Sequence, residues 1–357
     1  MAQANDMASQ RAAALKAHFE RPDFKPRPIL TSLNGDSAWL MSFPLPVAQR
    51  ASSGRAYYHI VSEPWLQGPA VTGHRWLVWI NWGTAPEVSD ATAVEALVLE
   101  IEGAAAAAAA AGIADSSIAE QRSSGSLIDA IFIHFHYNDH LHEPTLRQFD
   151  PSIPVFAAIE AAAMIRTWNH FNTVITQRDL DPSCGGSWQD LHPGAPLPSW
   201  LNVFRLPGHH ELNFATALVW SDPDDAQRQP EALVYSPHGI QIEQPALQAF
   251  LHSAEPAVSN LAILCALKDS FAFGVRTTLG VAGSLALARE AKPKYWVRTA
   301  DSPLRYWGLV MIFVRDIFRS LESGLEEEKA AKGNAGSELG IMPQPVEVPN
   351  GGCFILE

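Results

Sequence analysis

Apolar positions along this chain follow two spacings. Short runs rich in aromatic and β-branched residues predict strands, and longer segments with helical spacing predict helices. The predicted strands cover residues 37–43, 57–61, 130–133, 155–157, 203–206, 217–220, 232–235, 261–265 and 295–298. The predicted helices cover residues 143–149, 159–168, 244–251, 280–291 and 306–321. Because strands and helices alternate, this order predicts mixed sheets covered by helices.

Three further segments have weaker patterns. Residues 76–80 fit a strand or an interrupting apolar loop, and residues 91–101 fit a helix or a strand. Residues 103–126 contain a glycine, a run of eight alanines and a Ser-rich stretch. Because this run has no large apolar stripe to bury, we expect an exposed insertion.

The pattern predicts one large domain between two flanking pieces. Residues 1–29 predict a short helix and a proline-broken lead, and residues 30–323 the domain itself. Residues 324–357 predict a tail that is mobile until its last apolar residues, 353–356. A chain of 357 residues that is 47% hydrophobic is long enough to bury a core of this size.

Net charge and cysteine content limit the partners and the cellular compartment that we expect for this protein. A net charge of -13 argues against nucleic acid or an anionic membrane surface as a partner. Three widely spaced cysteines give no disulfide framework, which favours a reducing compartment. The N-terminus lacks the apolar region of a secretory signal, and no run of apolar residues is long enough to span a membrane. We therefore expect a cytoplasmic protein.

A cluster of ionisable side chains follows the predicted strand at 130–133. Residues 131–146 read IFIHFHYNDHLHEPTL. Within nine residues they present His134, His136, Asp139, His140 and His142. Imidazole and carboxylate ligands together suit zinc or another divalent first-row metal.

Three later strands also end in turns that carry polar residues. The segment 206–211 contains the adjacent His209 and His210, the segment 234–239 contains His238, and the segment 296–301 ends at Asp301. Strands hold ligands rigidly, and the turns after them let ligands converge. The four strand ends therefore predict a metal site cupped between two sheets.

The order of these motifs resembles the metallo-β-lactamase fold superfamily over roughly residues 30–310. The first motif of that superfamily is His-x-His-x-Asp-His. Its lactonase and phospholipase D-like branch commonly has His-x-His-Tyr-Asp-His-Leu-Asp followed by Thr. The matching residues here are His134, His136, Tyr137, Asp139, His140, Leu141 and Thr145. Residues 34–39 and 63–66 also resemble that branch. The resemblance implies an αββα sandwich of two mixed sheets flanked by helices.

Three positions depart from the superfamily pattern. Asn138 adds a residue to the first motif. Either a bulge absorbs it, or the register slips and Phe135 and Tyr137 occupy the ligand positions. His238 stands where the superfamily has a bridging Asp, and Ala300 where it has its last His. An imidazole binds one metal only and a methyl group binds none, so the resemblance implies one zinc ion per chain at most.

Candidate ligands of that zinc share an imidazole or carboxylate at a strand end. They are His134, His136, Asp139, His140, His209, His210 and His238. The mononuclear site that remains would use His134, His136 and one of the adjacent His209 and His210, which point apart, with His238 as a further candidate.

Residues near the strand ends have supporting roles. His142 and Glu143 are expected to orient ligands or to cap the helix at 143–149, and Asp301 to be a helix N-cap. Four tryptophans near the predicted site loops suit an apolar or aromatic small-molecule substrate. They are Trp39, Trp65, Trp168 and Trp296.

The leading hypothesis is a metal-dependent hydrolase. A bound metal lowers the pKa of its water toward ~7 and polarises the bond that is cleaved. Asp139 would be the general base or orient the water, and His238 would be a ligand or a proton donor to the leaving group. By resemblance, the substrate has an ester-like bond: a lactone, a thioester or a phosphodiester.

Two alternatives stay open. The first is a non-hydrolytic enzyme of the same fold that cyclises, eliminates or isomerises a molecule of secondary metabolism, with a degenerate or absent metal site. The missing bridging Asp and the missing last His favour it. The second is a metal-free binding or scaffold protein. The gathering of His134, His136, Asp139 and His140 at one strand end argues against that reading.

Overall fold

The computed structural model describes residues 2–22, 24–110, 126–184, 187–222, 224–225, 227–332 and 342–357. Within them, two seven-stranded sheets form the centre of the fold. The strands of the first sheet are, in spatial order, β20 (Cys353–Ile355), β1 (Ile29–Ser32), β2 (Trp39–Pro44), β3 (Tyr57–Ser62), β6 (Ala130–Ile133), β7 (Val155–Ala157) and β8 (Val174–Thr176). The strands of the second are β19 (Gln344–Val346), β16 (Tyr295–Arg298), β13 (Ser259–Cys265), β12 (Glu231–Ser236), β11 (Ala215–Trp220), β10 (Leu201–Leu206) and β9 (Arg178–Asp179). Both sheets are mixed.

Helices cover the outer face of each sheet. They are α1 (Ala2–Phe19), α2 (Val47–Ser53), α3 (Ala91–Ala110), α4 (Glu143–Leu146), α5 (Ile159–Thr167), α6 (Pro245–Ser253), α7 (Gly280–Ala291) and α8 (Leu321–Lys332). Apolar residues of α1, α3 and α5 pack on the first sheet, and those of α6, α7 and α8 pack on the second. A third core lies between the two sheets. The predicted αββα sandwich is therefore confirmed.

Alternation along β6 shows how the sequence specifies these layers. Ala130 and Phe132 face the core between the sheets, whereas Ile131 and Ile133 face the core under the helices. All four are buried because both faces of the strand are covered. A continuous apolar run is the sequence signature of such a strand.

Two smaller sheets stand beside the sandwich. One contains β15 (Val275–Leu279), β14 (Asp269–Ala272) and β18 (Val314–Ile317). The other contains β17 (Leu304–Trp307), β5 (Val78–Trp82) and β4 (Ala70–Thr72). The first connects to the second main sheet through Thr278, which accepts a hydrogen bond from His238.

The predicted long helix at 306–321 is wrong. The segment contains the end of β17, a short 3-10 helix at Met311–Phe313 and β18. Gly308 lies between them at a φ of 117°, and a Cβ there would meet the carbonyl oxygen of Leu77 at 2.6 Å. Only glycine adopts this conformation readily, so a helix cannot continue through it. The aromatic and β-branched residues around it favour strands.

The alanine run is built into the fold over its described part. Helix α3 continues through Ala110, and Ala105, Ala108 and Ala109 are buried against the first core. The expectation of exposure is therefore wrong for residues 105, 108 and 109, because small side chains allow close helix packing. The rest of the predicted insertion, residues 111–125, lies outside the described residues.

The C-terminal segment also differs from the predicted mobile tail. Its described parts include α8, β19 and β20, and the two strands join different main sheets. Among the described residues, no helix has the length and apolar character that a membrane span requires.

Candidate functional site

Four side chains form a continuous chain of hydrogen bonds at the strand ends. Glu63 Oε2 lies 2.7 Å from Nδ1 of His140. Nε2 of His140 lies 3.2 Å from Nε2 of His238, and Nδ1 of His238 lies 2.9 Å from Oγ1 of Thr278. Glu63 follows β3, His140 follows β6, and His238 follows β12. Parallel pairing of β3 with β6 brings the first two together, and the facing second sheet supplies the third.

Glu63 is the first member of this series of hydrogen bonds and is fully buried. Its carboxylate accepts hydrogen bonds from His140, from the hydroxyl of Tyr235, and from the backbone N–H groups of His134 at 3.2 Å and Phe135 at 3.1 Å. Its φ of 48° lies in the left-handed region, so the turn carries backbone strain. The sequence analysis assigned Glu63 no role. The available signal was its place in the segment 63–66, which resembles the lactonase and phospholipase D-like branch.

Charged side chains in and beside this series of hydrogen bonds determine which histidine is protonated. Burial lowers the pKa of His140, but the carboxylates of Glu63 and Asp139 outweigh it and raise that pKa to about 9. Burial raises the pKa of Glu63, but the His140 imidazolium outweighs it and lowers that pKa to about 2. Burial and the charge on His140 lower the pKa of His238 to about 3. At neutral pH, an imidazolium therefore donates Nε2–H to a neutral imidazole, which donates Nδ1–H to Thr278.

Asp139 lies beside this chain and is partly exposed. Burial raises the pKa of Asp36 and of Tyr235, and the Asp139 carboxylate adds to both shifts. It also helps to raise the pKa of His140. Asp139 is thus within electrostatic reach of the buried cluster. Part of the His238 side chain also reaches the surface, so an acid–base group and a carboxylate are both accessible.

The predicted metal ligands are brought together only in part: Asp139, His140 and His238 lie at this site, whereas the four other histidines make different contacts. His134 is buried against Tyr235, with ring centroids 4.9 Å apart, and neither of its ring nitrogens has a hydrogen-bond partner in the described part of the chain. His136 is partly exposed and stacks on Tyr137. His209 and His210 are both exposed and contact each other. Among the described residues, no three His, Cys, Asp or Glu side chains are grouped to hold a metal ion.

Phe135, rather than a histidine, faces the site. Its ring centroid lies 4.8 Å from that of His140, 5.0 Å from that of His238 and 4.4 Å from that of Phe214. The position of Phe135 is the one that the register slip predicts, but Tyr137, the second residue of that alternative, bonds to Glu211 instead, so the slip stays a prediction. The Asn138 amide donates to Thr72 at 3.3 Å and to the carbonyl of Val71, which fixes the turn.

The remaining expected positions supply no further ligand. Ala300 is buried at a φ of 56° and donates its N–H to the carbonyl of Asp36. Asp301 accepts from the backbone N–H groups of Leu267 and Lys268, both at 2.8 Å, so the expected N-cap role is wrong. Because a phenyl ring packs against both hydrogen-bonded histidines and no third ligand joins them among the described residues, the residues present do not fit the predicted zinc centre.

His142 and Glu143 do not act as expected either. His142 is the N-cap residue of α4, but its side chain caps no backbone group. Its Nδ1 instead pairs with Oγ1 of Thr145 at 2.9 Å, and burial lowers its pKa to about 4. Glu143 forms an exposed ion pair with Arg147.

A cavity of about 550 Å³ lies away from this site. It is lined by residues where β12, β13 and β16 begin, so it opens at the opposite strand ends. Its buried Arg27 is paired with Glu231 at 2.8 Å and 3.1 Å, and Arg228 is paired with the same carboxylate. None of the predicted site residues lines this cavity.

Solved structures with the same arrangement of elements are known. A possible metal-dependent hydrolase from Veillonella parvula matches with a TM-score of 0.50 and 9% identity, over 93% of this chain and 100% of that chain. The isothiocyanate hydrolase from Delia radicum gut bacteria matches with a TM-score of 0.49 and 13% identity, over 91% and 98%. The metallo-β-lactamase fold protein YhfI from Bacillus subtilis matches with a TM-score of 0.44 and 8% identity, over 93% and 100%. No protein-family model matches the chain, and no curated protein matches its sequence.

At these identities, structural similarity shows the fold alone. Together with the two mixed sheets and their outer helices, it shows that this chain shares its fold with the possible metal-dependent hydrolase from Veillonella parvula. The resemblance to the lactonase and phospholipase D-like branch stays a prediction.

Proposed function

We propose that this protein is a hydrolase of an ester-like bond and that its own side chains supply the acid and the base. The observation that carries the proposal is the 3.2 Å contact between the His140 imidazolium and the neutral His238. Asp139 lies beside them and is accessible. The structural similarity to a possible metal-dependent hydrolase supports hydrolysis as the reaction class.

Protons would move through the site in a definite order. Asp139 orients a water and accepts its proton as the hydroxide adds to the carbonyl or phosphoryl centre. As Nε2 of His238 takes a proton from Nε2 of His140, His238 releases its Nδ1 proton to Oγ1 of Thr278, whose hydroxyl gives its own proton to the leaving oxygen or sulfur. Glu63 keeps His140 charged until this transfer and stays ionised. Release of the proton from Asp139 to solvent, and return of a proton to His140, restore the starting state.

A non-hydrolytic reaction is the second candidate. Proton abstraction by Asp139 and proton return through His238 are also sufficient for an elimination or an isomerisation. The absence of a grouped ligand set among the described residues favours it over a reaction that needs a metal-activated water. Product analysis in isotopically labelled water separates the two reactions, because only hydrolysis incorporates a water oxygen.

The test uses aryl esters, lactones, thioesters and phosphodiesters with the purified protein. For the substrate that turns over, we expect Asp139→Asn and His238→Gln each to lower kcat/KM by about 10²–10⁴-fold. The matched controls His136→Gln and His209→Gln alter histidines that the sequence predicted as zinc ligands, and we expect them to keep full activity. Loss of activity and of metal content in the controls, with normal activity in Asp139→Asn and His238→Gln, would overturn the proposal in favour of the predicted zinc site.

A further inference from the structure

Large apolar side chains are concentrated on the surface of the two small sheets. Trp76, Phe273, Trp307, Leu309, Ile312 and Phe313 are between 51% and 70% exposed. Val275 and Phe318 belong to the same region and are also exposed. We call these eight residues the apolar rim. Among the described residues, four other large apolar side chains are exposed, at 38% to 60%, and they are spread over α2, α3 and α5.

Contacts between the small sheets make the rim continuous. The rings of Phe273 and Phe313 stack with centroids 4.8 Å apart, and the N–H of Phe273 donates to the carbonyl of Phe313. The N–H of Leu309 donates to the carbonyl of Trp76 at 2.8 Å. The hairpin of β14 and β15, the 3-10 helix and the turn before β5 therefore form one surface. A contiguous exposed apolar patch of this kind marks an interaction site.

Charge on the same segments is opposite to that of the whole chain. Residues 70–82, 267–279 and 304–319 contain six Lys and Arg residues and two Asp residues, a balance of +4, whereas the chain carries -13. Arg75 and Arg315 are exposed, and neither has an ion-pair partner in the part of the chain that the structure describes. The overall charge therefore gives no guide to the partner of this face.

We propose that the apolar rim and its arginines dock on the surface of an anionic lipid bilayer. Exposed Trp, Phe, Leu and Ile side chains enter the boundary between headgroups and acyl chains, and Arg75 and Arg315 lie at the depth of the lipid phosphates. Charge complementarity selects this occupant. In a two-fold dimer the same face would meet itself, and its excess positive charge would repel.

The docking face borders the acid–base site. Thr278 of β15 bonds to His238, and Asn138 bonds to Thr72 of β4. A docked protein would thus hold the site near the membrane surface. Docking itself does not depend on the proposed hydrolysis, so each can fail without the other.

Vesicle flotation tests the proposal with the full chain. The probes are phosphatidylcholine vesicles with and without about one third phosphatidylserine, because anionic lipid supplies the attraction. The double variant Phe273→Ser/Ile312→Ser removes apolar contacts, and Arg75→Glu/Arg315→Glu reverses the charge. Leu99→Ser/Ile159→Ser is the control, since it removes apolar side chains of similar exposure elsewhere.

We expect the parent and the control to bind the anionic vesicles, and each rim variant to bind at least about tenfold more weakly. Thermal unfolding of the variants checks that these surface changes leave the fold intact. No binding by the parent, or equal loss in the control, would overturn the proposal. So would a parent that sediments as a dimer that the rim variants dissociate, because the rim would then bind a second copy of the chain.

Discussion

A single buried carboxylate, Glu63, keeps His140 protonated, and the charge on His140 in turn helps to keep His238 neutral. Its pKa falls from 4.5 to about 2, so its contribution to stability is present above pH 4.5 and is lost as the pH falls through about 2. The pKa of His140 rises from 6.5 to about 9, so its contribution is complete below pH 6.5 and is lost as the pH rises through about 9. The pair therefore stabilises the protein most between pH 4.5 and 6.5.

Glu63→Gln tests this window. Removing one partner of a buried ion pair leaves an uncompensated group, so we expect a loss of about 3–5 kcal/mol in the free energy of unfolding near pH 5.5. The loss should shrink above about pH 9, where His140 is neutral in the parent as well. Urea unfolding at several pH values measures it. Glu143→Gln is the control, because the exposed Glu143–Arg147 pair is worth about 0.5 kcal/mol or less. The same loss at every pH would contradict this account.

Residue pattern predicted part of the site. Asp139, His140 and His238 were candidates because polar residues follow apolar strands. Glu63 also follows an apolar strand, but a lone carboxylate in a turn is usually a surface residue. Its role depends on its burial beside His140 and Tyr235, which are distant from it in the sequence. Such contacts cannot be read from local spacing.

At the scale of the element, the turn after β6 decides which side chains face the site. The additional residue Asn138 places Phe135 against His140 and His238, where the superfamily pattern has a histidine. The spacing allowed this slip or a bulge, and the packing of Phe135 favours the slip.

Phe135→His should create a metal site. The new imidazole would lie beside the Nε2 atoms of His140 and His238, which are 3.2 Å apart, and three imidazoles with an open position are a zinc-binding set. We expect about one zinc per chain after dialysis, measured by elemental analysis, and no gain for Ala300→His, because the φ of 56° at Ala300 strains a larger side chain. Zinc bound by Ala300→His but not by Phe135→His would contradict the slipped register.

Patterns of apolar residues mispredict secondary structure where those residues are exposed. The segment 306–321 resembles an amphipathic helix, but Leu309, Ile312 and Phe313 lie on the surface rather than in a core. Reading periodicity assumes that apolar side chains are buried. The prediction that the alanine run is exposed is wrong for the opposite reason, since small side chains of α3 are buried without forming a recognisable apolar stripe.

Two substitutions on α3 test that packing. Ala105 is 2% exposed and Ala107 is exposed, and both lie in the same helix. Ala105→Glu overpacks the core and buries a charge, so we expect a loss of about 2–4 kcal/mol in the free energy of unfolding. Ala107→Glu should stay within about 0.5 kcal/mol of the parent. Denaturant unfolding of the two variants measures the difference. Equal stability of both would show that this part of the run is exposed, as the sequence predicted.

At the scale of the whole molecule, the alternation of elements predicted mixed sheets covered by helices, and the resemblance of the strand-end motifs implied their αββα arrangement. The C-terminal strands that pair with the edge of each main sheet were not predictable. β20 pairs with β1 in the first sheet, and β19 pairs with β16 in the second. Each is a strand of three residues whose partner lies far away in the sequence, so the tail carries almost no local signal. Val346, Val348 and Leu356 nevertheless lie in the core between the sheets.

Leu356→Ala tests whether this segment stabilises the fold as a whole. Leu356 is fully buried between the sheets, and its backbone bonds to Pro28 and Arg27. Removing its branched side chain leaves a cavity, so we expect a loss of about 2–5 kcal/mol in the free energy of unfolding, with a single cooperative transition. Leu99→Ala is the matched control, because Leu99 is 60% exposed on α3 and should cost less than about 0.5 kcal/mol. A cost below about 1 kcal/mol for Leu356→Ala, or a separate early transition for the C-terminal segment, would show that the tail is only loosely attached.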